Sequence, residues 1–201
     1  MTDANKAPCK VLGLVLAGGE SRRMGRDKAL LPFKGFSSLL HRQVKLMQQL
    51  PLFELVVSRH ERLQTPTDLG VPILSDHNDQ QHDGPLAGLH SAAFAYPEAD
   101  ALLVLPVDLP LMDSSSMDRL LTEGIKRQVP LYFEDEYLPL YLPLTETIRE
   151  YLADQLSMMA SDRSIRGLLR ANQAQTLIPK NQRALTNANT EAEWQATQTH
   201  E

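Results

Sequence analysis

The chain is poor in the residues that build disulfide networks, cysteine-bound metal sites and membrane spans. Its 201 residues include a single cysteine, Cys9, which excludes a disulfide framework and a cysteine-based zinc site. No apolar run approaches the roughly 20 residues that cross a bilayer. A formal net charge of −5 argues against a general nucleic-acid-binding protein. These absences favour a cytoplasmic globular protein without nucleic-acid or membrane partners.

Two common nucleotide-binding motifs are also missing. A Walker A loop needs glycine before its lysine and serine or threonine after it, but Lys28 stands between Asp27 and Ala29. The dinucleotide fingerprint G-x-G-x-x-G does not occur. A nucleotide-binding role therefore has to rest on a different pattern.

A glycine pair and a group of cations follow the first apolar run. The run from Val11 to Ala17 is continuously hydrophobic, which predicts a buried parallel strand. Gly18 and Gly19 then allow a sharp turn and a close approach to a ligand. The cations that follow are Arg22, Arg23, Arg26 and Lys28. Backbone N–H groups backed by cations predict a cradle for the phosphates of a small anionic ligand. The alternative is a tight turn with solvated cations.

Strand and helix patterns alternate along the chain, which predicts an α/β fold. The expected architecture is a three-layer α/β/α arrangement with a mostly parallel, Rossmann-like sheet. At this length we expect one domain over residues 1–201, with residues 1–8 as a loose polar leader. The expected strands are 10–16, 53–58, 71–75, 101–107, 129–133, 137–142 and 176–179. The expected helices are 37–50, 85–96, 114–127, 146–159, 162–171 and a short one that Thr190 caps.

Two carboxylates stand directly after predicted strands. Ligands of open α/β sheets bind beyond the carboxyl ends of the strands, so Asp76 and Asp108 are expected beside the glycine-rich turn. Asp108 is a candidate Mg²⁺ ligand, because Mg²⁺ needs few carboxylates when phosphates and water complete its shell. The alternative for Asp108 is a turn residue before Pro110, and for Asp76 an Asx turn.

The glycine-rich segment resembles a signature of nucleotidyltransferases. It reads Leu-Ala-Gly-Gly-x-Ser-x-Arg-Met-Gly-x-Asp-Lys-Ala-Leu-Leu over residues 16–31 and is most similar to the molybdenum cofactor guanylyltransferase family, the molybdopterin-guanine dinucleotide synthesis protein A proteins. Later blocks keep the family's order: Asp76, Gly84 to Gly88, Pro106 to Pro110 and Asn187 to Thr190. The resemblance implies transfer of GMP from GTP to the terminal phosphate of molybdopterin, with release of pyrophosphate.

The resemblance also implies roles for particular residues. The implied catalytic residues are Lys28, Arg23 and Asp108, with Asp108 as the Mg²⁺ ligand. The implied nucleotide-binding residues are Leu16, Ala17, Gly18, Gly19, Lys28, Ser58, Asp76 and Asp108. Asn187 and Asn189 match an element on the pterin or metal side, although an Asx turn explains them equally well. Ser58 departs from the asparagine of many relatives, which weakens the expected contact with the base or ribose.

Several assignments stay open at this point. Gly18 and Asp27 favour guanylyl over cytidylyl transfer, but another nucleotidyl transfer and a non-catalytic nucleotide-binding module remain alternatives. The implied partners are GTP and molybdopterin, and other cofactor-biosynthesis proteins or molybdoenzyme chaperones remain open. Trp194 is expected to anchor the final helix. Four aromatic residues either line a pterin pocket or pack in the sheet: Tyr132, Phe133, Tyr137 and Tyr141. Three arginines at helical spacing form a solvated face or touch the second substrate: Arg163, Arg166 and Arg170.

Overall fold

The computed structural model describes residues 7–19, 25–66, 68–75, 84–157 and 164–198. These residues form one seven-stranded sheet flanked by helices. The strands are β1 (Val11–Leu16), β2 (Glu54–Arg59), β3 (Ile73–Ser75), β4 (Ala101–Pro106), β5 (Leu131–Phe133), β6 (Glu136–Pro143) and β7 (Gln175–Leu177). The helices are α1 (Leu39–Met47), α2 (Pro85–Ala95), α3 (Ser114–Arg127), α4 (Glu146–Ser157), α5 (Ile165–Ala171) and α6 (Glu191–Gln198), with short 3₁₀ helices at Lys28–Leu30 and Gln182–Leu185.

The sheet is mostly parallel, as the sequence predicts. Its strand order is β3-β2-β1-β4-β6-β5-β7. Only β6, among the strands of the described residues, runs against its neighbours, pairing antiparallel with both β4 and β5. At the centre of the sheet, Leu14 of β1 lies opposite Val56 of β2 and Val104 of β4. The carboxyl ends of the parallel strands therefore meet at one edge.

Each face of the sheet is covered by its own apolar layer. Alternate residues of β1 point to opposite faces, so Val15 belongs to one core cluster and Leu14 to the other. Helices α1, α3 and α6 contribute to the first cluster, and α2, α4 and α5 to the second. The predicted three-layer α/β/α architecture is thus confirmed.

The helices begin at residues suited to that position. Ser38 caps α1, its hydroxyl accepting a hydrogen bond from the N–H of His41 at 3.1 Å. Pro85 occupies the first turn of α2, where its missing N–H costs nothing. Asp113 caps α3 by accepting from the N–H of Ser116 at 2.7 Å. Across the described part of the chain, no helix is long and apolar enough to cross a membrane.

Candidate active site

The glycine-rich segment and Asp108 leave the sheet side by side. β1 and β4 are parallel neighbours, and the N–H of Val107 donates to Leu16 O at 2.9 Å just beyond their ends. The N–H of Ala17 donates to Ser58 O of β2, also at 2.9 Å. Gly18 therefore starts from the same edge at which Asp108 follows β4. This is the convergence that the sequence predicts.

Lys28 connects this edge of the sheet to a late segment of the chain, residues 187–190. It opens the 3₁₀ helix that Asp27 caps, with Asp27 Oδ1 accepting from the N–H of Ala29 at 3.0 Å. Lys28 is only 8% exposed. Its Nζ donates to Asn189 Oδ1 at 2.7 Å and to Ala188 O at 3.2 Å. The same Nζ lies 3.6 Å from Asp108 Oδ2, so the predicted lysine, carboxylate and asparagine form one cluster.

The late segment is fixed to the site from both sides. The N–H of Ala188 donates to Asp108 O at 3.0 Å. Glu193 Oε2 accepts from the N–H groups of Asn189 and Thr190 at 2.8 and 2.9 Å, while Thr190 Oγ1 accepts from the N–H of Glu193 at 3.2 Å. This reciprocal capping box starts α6 and confirms Thr190 as a helix-start residue. The segment that carries Asn189 is therefore fixed beside Asp108.

Trp194 anchors the same helix in the core. It is 4% exposed, and its ring centroid lies 5.3 Å from that of Phe33. Phe33 is fully buried in the layer formed by α1 and α3. The predicted anchoring role of Trp194 is therefore confirmed, and α6 is tied to the fold as well as to the site.

Glu136 is a site carboxylate that the sequence reasoning missed. Its two carboxylate oxygens accept from Asn187 Nδ2 at 3.2 and 3.3 Å. Burial raises the pKa of Glu136, the Asn187 hydrogen bond opposes that shift, and the charges of Asp108 and Asp135 add to it. The signal available in the sequence was the acidic run at 134–136 directly after a short strand. To identify Glu136 from this acidic run, one would have to know that β5 ends at the same edge of the sheet as β4.

The glycines of the segment differ in what they provide. Gly25 has a φ of 64°, so the left-handed turn belongs to this residue. Gly19 does not adopt such a φ, and a Cβ there would meet no atom of the described residues within 4 Å. The sharp turn expected at Gly18 and Gly19 stays a prediction, because residues 20–24, which follow the pair, lie outside the described residues. The described residues leave room beside the Gly19 backbone for a ligand.

Ser58 lies beneath the start of α2 and not on the surface of the site. It is 1% exposed, and a Cβ added to Gly88 would come within 2.5 Å of its Oγ. The pair of small residues lets α2 approach the ends of β1 and β2. The expected contact of Ser58 with the nucleotide stays a prediction.

The remaining predicted residues are distributed as follows. Arg23, Arg163 and Asp76 lie outside the described residues. Arg166 and Arg170 are exposed, in keeping with a solvated face. Tyr141 and Phe133 are fully buried in the sheet core, which excludes them from a pterin pocket. The rings of Tyr132 and Tyr137 lie 6.0 Å apart, and Tyr137 is 46% exposed.

The side chain of Asp108 suits a divalent cation shared with phosphates. This side chain is 30% exposed, and Lys28 Nζ lies beyond hydrogen-bond range of Oδ2 at 3.6 Å. No group of three or more histidine, cysteine or acidic side chains that could enclose a metal occurs among the described residues. One carboxylate with water and phosphate oxygens is a donor set that Mg²⁺ accepts.

The mostly parallel sheet between two helical layers has the α/β nucleotidyltransferase fold, and it brings a lysine and a carboxylate together at its carboxyl edge. A family model, the MobA-like NTP transferase domain, matches residues 13–177. The molybdenum cofactor guanylyltransferase of Xanthomonas euvesicatoria is 37% identical over 184 residues, which are 90% of this chain and 91% of that protein. The chain therefore belongs to the family of MobA-like NTP transferases.

Two further proteins extend the comparison. A probable molybdenum cofactor guanylyltransferase of Mycobacterium avium is 32% identical over 192 residues, covering 93% of this chain and 94% of that protein. The crystal structure of molybdopterin-guanine dinucleotide biosynthesis protein A from Archaeoglobus fulgidus matches with a TM-score of 0.70 at 20% identity, covering 93% of this chain and 96% of that one. The similarity thus extends over nearly the whole chain in both sequence and fold.

Proposed function

We propose that this protein transfers GMP from GTP to the terminal phosphate of molybdopterin, yielding the guanine dinucleotide cofactor and pyrophosphate. The observation that carries the proposal is the meeting of Lys28, from the glycine-rich segment, with Asp108, from the neighbouring strand, at 3.6 Å. The full-length relatives that are named guanylyltransferases support the choice of substrates.

The proposed reaction is an in-line displacement at the α-phosphorus of GTP. An oxygen of the acceptor phosphate forms a bond to that phosphorus, and the bond to the bridging oxygen of pyrophosphate breaks. A phosphate monoester is largely ionised near neutral pH, so the step needs no strong general base. Alignment and neutralisation of charge are then the main catalytic requirements.

Residues of the site divide these tasks in the proposal. Backbone N–H groups of Gly18, Gly19 and the residues next to them hold the triphosphate, and Lys28 offsets the charge that develops in the transition state. Arg23 and Asp76 stay predictions as a catalytic helper and a nucleotide contact. Asn187 and Asn189 lie toward the acceptor side. Mg²⁺, when bound at Asp108, would supply positive charge beside the triphosphate.

The direct test is product formation from defined substrates. Purified protein is incubated with molybdopterin, Mg²⁺ and one nucleotide at a time (GTP, CTP, ATP or UTP), and the dinucleotide and pyrophosphate are quantified, the former by mass spectrometry. We expect product chiefly with GTP. Preference for CTP would reassign the nucleotide, and the absence of pyrophosphate with all four would indicate a non-catalytic nucleotide-binding module.

Two substitutions test the residues that carry the proposal. Lys28→Ala and Asp108→Ala should each lower kcat/KM by about 100-fold or more. The first removes a positive charge beside the reacting phosphate, and the second removes the carboxylate that would hold Mg²⁺. The matched controls are Lys126→Ala and Asp118→Ala, which change exposed residues on α3. Both controls should keep wild-type turnover. Full activity in folded Lys28→Ala and Asp108→Ala proteins would contradict the assignment.

A further inference from the structure

Arg59 is a buried charged residue that the proposed reaction does not use. It ends β2, and its side chain has no exposed surface. Removing a guanidinium from water costs several kcal/mol unless its N–H groups find partners inside the protein. The partners of Arg59 therefore indicate what the buried charge is used for.

The guanidinium of Arg59 joins three separate segments. Nη1 donates to Ala17 O at 2.8 Å, and Nη2 forms an ion pair with Asp27 Oδ2. Nε and Nη2 both donate to Gln64 O, at 3.0 and 2.6 Å. Two of these partners, Ala17 and Asp27, stand at the two ends of the glycine-rich segment. The third belongs to the connection between β2 and β3.

Asp27 connects Arg59 to the turn that carries the catalytic lysine, Lys28. While Oδ2 pairs with Arg59, Oδ1 accepts from the N–H of Ala29 and caps the turn that starts at Lys28. The orientation of the Asp27 carboxylate is thus determined on one side by Arg59 and on the other by the lysine-bearing turn. A shift of Arg59 would loosen both ends of the segment together.

We propose that Arg59 is a positioning residue for nucleotide binding: its guanidinium holds Ala17 and Asp27 at a fixed separation, and this sets the affinity of the glycine-rich segment for Mg·GTP. The inference rests on the proposed function, because it takes the segment to be the triphosphate site. Arginine is suited to this task because its rigid, planar group donates in several directions at once. Lysine carries the same charge but cannot reach all three segments from one position.

The test compares Arg59→Lys and Asp27→Asn with wild type by equilibrium binding of Mg·GTP and by steady-state kinetics. Arg59→Lys should raise the Kd and the KM for GTP about tenfold, the range seen when a supporting partner of a site is removed. The KM for molybdopterin should change less than about twofold, because the acceptor side is held by other residues. Asp27→Asn should weaken Mg·GTP binding in the same direction. The double variant should be hardly weaker than Arg59→Lys, since both changes break one linkage.

Arg149→Met is the matched control. Arg149 on α4 also donates to several backbone carbonyls, those of Ala93, Pro97, Ala99 and Leu144, but these belong to the layer formed by α2 and α4. Its loss should lower the thermal unfolding midpoint without changing the Kd for Mg·GTP. An equal loss of affinity in Arg149→Met and Arg59→Lys would show that Arg59 acts only through general stability.

Failure of this inference can be told apart from failure of the proposed function. A wild-type protein that does not bind Mg·GTP would overturn the proposed function and this inference with it. A wild type that binds, together with folded Arg59→Lys and Asp27→Asn proteins of unchanged Kd, would overturn the inference alone. If Arg59→Lys does not fold, Asp27→Asn decides the question, because it keeps the shape of the side chain and removes only the charge.

Discussion

At the scale of single residues, the folded protein disfavours the ionised form of the Glu136 carboxyl group. Burial and the neighbouring charges of Asp108 and Asp135 raise the pKa of Glu136, although the Asn187 hydrogen bond works against them. A raised carboxyl pKa means that folding favours the protonated form. The associated stability is therefore complete below the pKa of unfolded glutamate, about 4.3. It is lost as the pH rises through the raised pKa of the folded state.

This predicts the pH dependence of Glu136→Gln. The glutamine keeps a carbonyl to accept from Asn187 but carries no charge, so the variant should be more stable than wild type at pH 7 by up to about 1 kcal/mol. The gain should vanish near pH 4, where the wild-type carboxyl is protonated. Urea unfolding at both pH values measures the difference, with Glu134→Gln as an exposed control in the same turn. A gain of equal size at both pH values would exclude charge as its origin.

Site residues that belong to a local motif were predictable, whereas those that depend on the order of strands were not. Lys28, Asp108 and Asn189 each stand in a recognisable pattern, and the structure brings them together. Glu136 and Arg59 reach the site because of strand register and burial. No local pattern encodes either property, since both depend on which segments become neighbours in the sheet.

At the scale of elements, α3 packs against the sheet through a glycine. A Cβ on Gly124 would lie 2.2 Å from Cγ of Tyr141, a fully buried residue of β6. The helix can approach the strand this closely only because position 124 has no side chain. The bounds predicted for this helix, residues 114–127, agree with the structure. The periodicity of its sequence, however, does not reveal the close contact between Gly124 and Tyr141.

Gly124→Ala should accordingly destabilise the protein although alanine is the better helix former. The helix-propensity gain is about 1 kcal/mol, and overpacking against a buried ring typically costs about 1–3 kcal/mol. We expect a net loss in the free energy of unfolding, measured by urea denaturation. Adding Tyr141→Leu should recover part of that loss, because it removes the ring that the new methyl group meets. The exposed substitution Thr122→Ala is the control, and a Gly124→Ala protein more stable than wild type would contradict the packing explanation.

The antiparallel direction of β6 shows a second limit of prediction from sequence at the scale of elements. Alternating strand and helix patterns correctly predict a mostly parallel sheet. The short connection between β5 and β6 makes them an antiparallel pair, and β6 then lies between β4 and β5. Apolar runs identify strands, but the pairing partner of an isolated run depends on the whole sheet.

At the scale of the whole molecule, the two core layers share one set of strands and should unfold together. Leu14 and Trp194 lie in opposite layers, and β1 contributes to both. A single cooperative transition is therefore expected, in agreement with the sequence-based prediction of one domain.

Leu14→Ala tests this coupling across the sheet. The substitution should lower the free energy of unfolding by about 2–5 kcal/mol, because it opens a cavity in the layer remote from Trp194. The transition followed by fluorescence of Trp194, the single tryptophan, should shift as far as the one followed by far-UV circular dichroism. Ile178→Ala, at a residue that is 73% exposed, should leave both unchanged. A fluorescence transition that is unchanged in Leu14→Ala would show that the layers unfold separately.

The contacts of Lys28 also have a consequence for synthesis of the chain. Lys28 leaves the ribosome 160 residues before Ala188 and 161 residues before Asn189, both of which accept a hydrogen bond from its Nζ. The central strands β1, β2 and β4 can therefore be synthesised before the residues that accept hydrogen bonds from Lys28. Translation that stalls before the segment at 187–198 would yield fragments without these acceptors of Lys28, so the proposed active site is completed only late in synthesis.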